Sequence, residues 1–229
     1  MKQLVQLIRN NAKREPARIA AEDQPDTLFL YDVIDPYWGI GASDFNKSLA
    51  GMAGKKVTLR VNCPGGDVFD GRAMAAAIAQ HGDVHAVIEG VAASAATFIT
   101  ASCATVTIAK GALYMIHNAW TMAYGNKSDL RQTANLLETI DGTILDDYER
   151  RSGQAREQLA AWMDAETWFN ADQAVEHGFA DSVSEAGQAQ NSWDLSAYKN
   201  APKPPAPADD QWEVIRQRNL NRLRLHELG

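Results

Sequence analysis

The chain has 229 residues, 45% of them hydrophobic and 22% charged, which is ordinary globular composition and enough for one substantial domain with appendages. Its formal net charge of −7 argues against general nucleic-acid binding, and its basic cluster sits in the tail, at Arg216, Arg218, Arg222 and Arg224. Two cysteines, Cys63 and Cys103, make neither a disulfide framework nor a metal site, and no stretch has the apolar length of a membrane span. The N-terminus carries Lys2, Arg9, Lys13 and Arg14 and lacks the core of a signal peptide, so the expectation is a cytoplasmic protein without a membrane role.

Residues 1–26 are polar and weakly patterned and read as an arm. Thr27–Ile34 has the apolar, β-branched character of a strand. Ser43 is a candidate cap for a helix running to Met52, with Gly54 beyond its end. Lys56–Asn62 is the next strand, and Cys63-Pro64-Gly65-Gly66 a sharp turn. Asp67 caps an alanine-rich helix over Val68–Gln80. Val84–Glu89 is a third strand, Ser94–Ala101 a short buried helix, and Thr105–Ile108 and Leu113–His117 are further strands. This alternation predicts an α/β core with mainly parallel strands.

A long helix follows over Ser128–Arg151, with Leu130, Ala134, Leu137, Ile140, Ile144 and Tyr148 at helical spacing. Shorter helices are expected over Arg156–Trp162 and Ala171–His177, the latter stopped by Gly178. Asp181–Val183 begins a closing strand or loop. A core over 27–197 thus gives way to a proline-rich linker over 198–210, and 211–229 reads as a basic amphipathic helix with Trp212, Ile215, Leu220, Leu223 and Leu225.

Three features fall at the C-terminal ends of candidate strands, where open α/β sheets place their sites. In Asn62-Cys63-Pro64-Gly65-Gly66, the paired glycines let the backbone turn tightly and turn N–H groups towards a ligand. Ser94 opens a short helix in the run Gly90-Val91-Ala92-Ala93-Ser94-Ala95-Ala96, where small neighbours permit close approach. Alone, that serine fits a helix cap equally well. His117, in Met115-Ile116-His117-Asn118, ends a strand and can supply the base that a serine nucleophile needs at neutral pH. The N–H groups of Gly66 and Ala95 are candidates for holding a developing oxyanion, a role typically worth about 2.7–4 kcal/mol per donor. Asp164 and Glu166 are both candidates for the acid that orients the imidazole, and composition does not choose between them. His81 and His85 are four apart, but Gly82 between them breaks any shared helix face, so they read as packing or solvated residues.

Together these motifs resemble the ClpP-type serine peptidases, and most of all the branch of phage head-maturation (prohead) proteases, over roughly Thr27 to Val183. The glycine turn is similar to that family's Asn-Ser-Pro-Gly-Gly substrate and oxyanion turn. The run ending in Ser94 is similar to its nucleophile motif, and Met115–Asn118 to its histidine motif. Glu166-Thr167-Trp168-Phe169-Asn170-Ala171, continuing to Gly178, resembles the segment that holds its triad acid. The resemblance implies the ClpP/crotonase-like spiral of β-α units with a long head-region helix, and homo-oligomeric rings with inward-facing sites. It implies Ser94 as nucleophile, His117 as base, Glu166 by register as the acid with Asp164 as second candidate, Gly66 and Ala95 as oxyanion donors, and Gly65, Gly66 and Asn118 at the substrate. No cofactor or metal is implied. The substrate implied is protein or peptide, a phage capsid or scaffold protein in the head-maturation branch, and cleavage is expected to be independent of ATP. Glutamate in place of the family's aspartate, Ala95-Ala96 in place of Met-Gly, and Cys63 in place of serine are this chain's departures. Two other functions compete: a catalytically silent ring-forming scaffold whose tail docks on coat protein, and a crotonase-like acyl-CoA enzyme. The intact Ser94 and His117 weigh against both.

Overall fold

The computed structural model describes residues 2–12, 14, 19–21, 23–185 and 193–202. In chain order the elements are α1 (Lys2–Asn10), β1 (Ala20–Ala21), β2 (Gln24–Leu30), α2 (Ala42–Ala50), β3 (Val57–Cys63), α3 (Val68–His81), β4 (Val84–Ala93), α4 (Ala95–Ala101), β5 (Thr105–Ala109), β6 (Leu113–Ile116), α5 (Lys127–Ser152), α6 (Arg156–Asp164), β7 (Thr167–Asn170), α7 (Ala171–Glu176) and β8 (Ser182–Ser184). The expected α/β alternation is present. Eight strands form one sheet in the order β1-β2-β3-β4-β5-β8, with β6 beside β4 and β7 beside β6. The β2-β3, β3-β4, β4-β5, β4-β6 and β5-β8 pairs are parallel; β1-β2 and β6-β7 are antiparallel.

β4 positions the site. Its first half lies between β3 and β5, and its last three residues leave β5 and pair with β6, Ala93 opposite Met115. Those last residues are buried on both faces. Ala92 belongs to the main core with Tyr114 and Ile116, whereas Val91 and Ala93 join a second cluster with Met115, Leu7, Trp193, Leu195 and Tyr198. Only small side chains fit between two such layers, which is the packing reason for the alanine run.

Helix boundaries follow local chemistry. Asp67 caps α3, its carboxylate accepting from Asp70 N–H at 2.9 Å, and Gly82 ends it in the left-handed region. Asn126 and Asp129 form a reciprocal capping box on α5. α2 departs from expectation: Gly41 occupies its cap, and Ser43 lies within the first turn, where Ala42 N–H is held by Asp70 at 3.2 Å. The strand expected to reach Ile34 ends at Leu30, because Ile34 turns away to bridge Ile40 and Gly66.

The expected N-terminal arm contains helix α1, and its Leu7 is buried. The reason is tertiary. Asn11 exchanges hydrogen bonds with the Asp194 backbone at 2.9 and 3.0 Å, and Arg14 stacks 3.8 Å from the Trp193 ring centroid. A polar, weakly patterned segment thus becomes a helix by packing against residues far along the chain. Most of the proline-rich linker and the whole tail, 203–229, lie outside the described residues.

Candidate active site

Ser94 N–H donates to Met115 O at 2.9 Å, continuing the β4-β6 pairing by one step. Ser94 therefore stands at the end of β4 and His117 just past the end of β6. Their side chains meet, His117 Nε2 lying 2.7 Å from Ser94 Oγ. Ser94 occupies the cap position of α4, yet its side chain caps nothing, and its backbone has φ 54° and ψ −125°. Among the described residues, Ser94 and Glu166 are the two non-glycine residues with positive φ. Such conformations are strained and persist where the surrounding structure over-determines them, typically at functional sites.

The glycine turn is fixed by sterics. Gly65 has φ 93°, and a β-carbon there would lie 2.6 Å from Ala93 O and 2.6 Å from Ser94 Cβ. A β-carbon on Gly66 would lie 2.1 Å from Ile34 O. Backbone bonds from Ile34 N–H to Gly65 O (2.9 Å) and from Asp67 N–H to Ile34 O (2.7 Å) hold the turn against the chain after β2. Gly66, Ser94, Ala95 and His117 all line one cavity of about 400 Å³, whose walls are largely apolar and include Phe69, Phe98, Trp120 and Met122.

Burial pushes the His117 imidazole down to about 4, while the nearby Glu166 carboxylate acts in the opposite direction. The ring is thus neutral at pH 7, and a neutral Nε2 can accept the serine proton. The two candidate acids are differently engaged. Asp164 accepts from Asn118 Nδ2 at 2.7 Å, which fixes the residue after the histidine. Glu166 accepts from Asn200 N–H at 2.7 Å, Lys199 N–H at 3.1 Å and Trp168 Nε1 at 3.3 Å. Among the described residues neither carboxylate hydrogen-bonds to His117; Glu166 acts on it through charge.

Tyr198 is the feature that sequence reading missed. Its ring stands edge-on to His117, with centroids 5.6 Å apart, and packs against Trp168 at 5.8 Å. Its hydroxyl donates to Pro64 O in the glycine turn and lies beside the Ser94 side chain. The available signal was the aromatic and aliphatic spacing of Trp193, Leu195 and Tyr198 just before the prolines, overshadowed by the linker composition. His81 and His85 do not converge: His81 Nε2 lies 3.0 Å from Met52 O, and His85 contacts Asp83 and Thr105.

The Clp protease family model matches residues 49–187, which contain the turn, the serine, the histidine and both acids. The chain belongs to the Clp protease family. It is 31% identical over 135 residues to the ATP-dependent Clp protease proteolytic subunit 1 of Prochlorococcus marinus, covering 56% of this chain and 67% of that protein. It is also 31% identical over 139 residues to the ATP-dependent Clp protease proteolytic subunit of Streptococcus pneumoniae, covering 56% and 68%. Among solved structures, a point mutant of ClpP1 from Listeria monocytogenes superposes with a TM-score of 0.62 over 70% of this chain and 92% of that one, at 21% identity. That likeness speaks for the fold. The Clp family assignment makes this a member of a serine peptidase family. Helix α1 and residues 193–202 lie outside the family match.

Proposed function

We propose that this chain is a serine endopeptidase that cleaves protein substrates through Ser94, His117 and Glu166. The observation that carries this reading is the 2.7 Å approach of His117 Nε2 to a serine held at positive φ. Ser94 Oγ attacks the scissile carbonyl carbon and its proton passes to His117 Nε2. The N–H groups of Gly66 and Ala95 receive the developing oxyanion. Collapse breaks the C–N bond, and His117 returns the proton to the leaving amine. Water then attacks the acyl-enzyme by the same path. Glu166 stabilises the imidazolium by charge; Asp164 holds Asn118 and sets the histidine's flank. Gly65, Gly66 and Asn118 border the substrate.

The active form is a homo-oligomeric ring. This is supported by α5, of which no residue is buried between Lys127 and Thr143, and by the exposed Trp120, Met122, Leu130 and Leu136 around it. The substrate is a phage coat or scaffold protein cleaved without an ATPase, following the resemblance of the motifs to head-maturation proteases. The test is incubation of the purified chain with a coat or scaffold protein and with casein, beside Ser94→Ala. Ser94-dependent cleavage of the coat or scaffold protein without ATP is expected. Cleavage of casein alone overturns the head-maturation assignment and leaves the peptidase; cleavage of none by a folded ring overturns both.

A further inference from the structure

We propose that residues 193–202 are a working part of the active site, in which Tyr198 positions His117 and the backbone N–H groups of Lys199 and Asn200 position Glu166. The inference rests on the peptidase reading above and adds to it a segment that lies outside the family match.

The segment is anchored at several points. Trp193 Nε1 donates to Asn62 O at 3.0 Å, and Tyr198 hydroxyl donates to Pro64 O, so the first half of the glycine turn is tied to it at two points. Asn200 Nδ2 donates to Ala165 O at 2.7 Å, and two successive backbone N–H groups grip the Glu166 carboxylate. Leu195 and Tyr198 are buried against Val91, Ala93 and Met115, the residues that lead into Ser94 and His117. Helix α1 braces the far side through Leu7, and Asn11 just beyond its end pairs with Asp194.

Glu166 sits at φ 50°, a backbone state that costs of order 1–3 kcal/mol and needs external support. The N–H groups of Lys199 and Asn200, with the Asn200 amide on Ala165 O, provide it and fix where the carboxylate lies. The Tyr198 ring keeps water from one face of His117, which depresses imidazole protonation. The charged group acting on His117 is Glu166; Tyr198, with its own ionisation pushed up by burial, is neutral.

The test uses the full chain with Tyr198→Ala, Tyr198→Phe, Asn200→Pro and Asn200→Ala; Asn200→Pro removes one of the two N–H groups that grip Glu166 together with the amide bond to Ala165 O, and Asn200→Ala removes that amide bond alone. Two readouts are taken: the rate of fluorophosphonate labelling of Ser94, and the His117 imidazole pKa by NMR. Tyr198→Ala and Asn200→Pro should slow labelling roughly 10²-fold, the cost of a misplaced catalytic group, with Tyr198→Phe in between. In a Glu166→Gln background Asn200→Pro should cost little more, because it acts through that carboxylate. His117 should titrate nearer 6.5 in Tyr198→Ala, a readout that stands even in a chain that labels nothing and so separates this proposal from the peptidase reading. Faster labelling in folded Tyr198→Ala would make the segment a blocking element and overturn the proposal. So would an unchanged His117 pKa, or an Asn200→Pro loss of equal size with and without Glu166.

Discussion

At the scale of single residues, the site is a set of steric and electrostatic constraints that leave few alternatives. Gly65 cannot carry a β-carbon without meeting Ala93 O and the Ser94 side chain, so Gly65→Ala should displace both the turn and the serine. We expect Ser94 labelling to fall by about 10²–10³-fold, the size of a lost oxyanion donor, with helix content by circular dichroism unchanged. His117 makes a second prediction. Its folded-state pKa, about 4, lies below its ordinary 6.5, so the unfolded chain takes up a proton at higher pH than the folded one. Stability should therefore fall as pH drops from about 6.5 to 4, and His117→Gln should flatten that part of a melting-temperature profile. The acid limb of kcat/KM should likewise lie well below 6.5; a limb at 6.5 or above would mean a hydrated ring. Ser94, His117 and the glycine turn were legible in the sequence because each sits at a strand end in a short motif. Composition did not choose between Asp164 and Glu166, two residues of one turn, and only the register of the motif pointed to Glu166. Tyr198 was not legible because the site residues it meets, Pro64, Ser94 and His117, are more than eighty residues away.

At the scale of elements, α3, α4 and α5 form the layer behind the serine. Asp147 of α5 is buried and binds Arg72 of α3, and Arg150 Nη2 at 2.7 Å; Arg72 in turn stacks 4.7 Å from the Phe98 ring centroid of α4. Asp147→Ala leaves a half-buried guanidinium without its carboxylate and should cost about 1.5–3 kcal/mol by urea unfolding. A loss near zero would show that α5 is held by Ile144 and Tyr148 alone. The alternation of strands and helices was readable from period and punctuation, as at Asp67 and Gly82. What the sequence hid were elements made by pairing rather than by pattern. β7 exists because Thr167–Asn170 lies antiparallel to β6, and α1 because Leu7 finds Trp193 and Leu195. β4 outran its expected end because its alanines suit a strand buried on both faces.

At the scale of the whole molecule, a 26-residue helix stands out from the core, burying side chains only over its last third. The stripe that predicts it, from Leu130 to Tyr148, is covered at Ile144 and Tyr148 and open at Leu130. If copies of the chain cover the rest, Leu136→Asp should reduce the assembly to smaller species by light scattering, with the monomer still folded; an unchanged mass would place the ring contact elsewhere. The proposed peptidase activity turns on whether Ser94 is an activated nucleophile. The most direct measurement is labelling of the purified full-length chain with a fluorophosphonate probe, beside Ser94→Ala and His117→Ala. Stoichiometric labelling of the parent protein at Ser94, lost in both variants, is the expected result. Absence of labelling in a folded, assembled parent protein, or labelling that survives without His117, would contradict it.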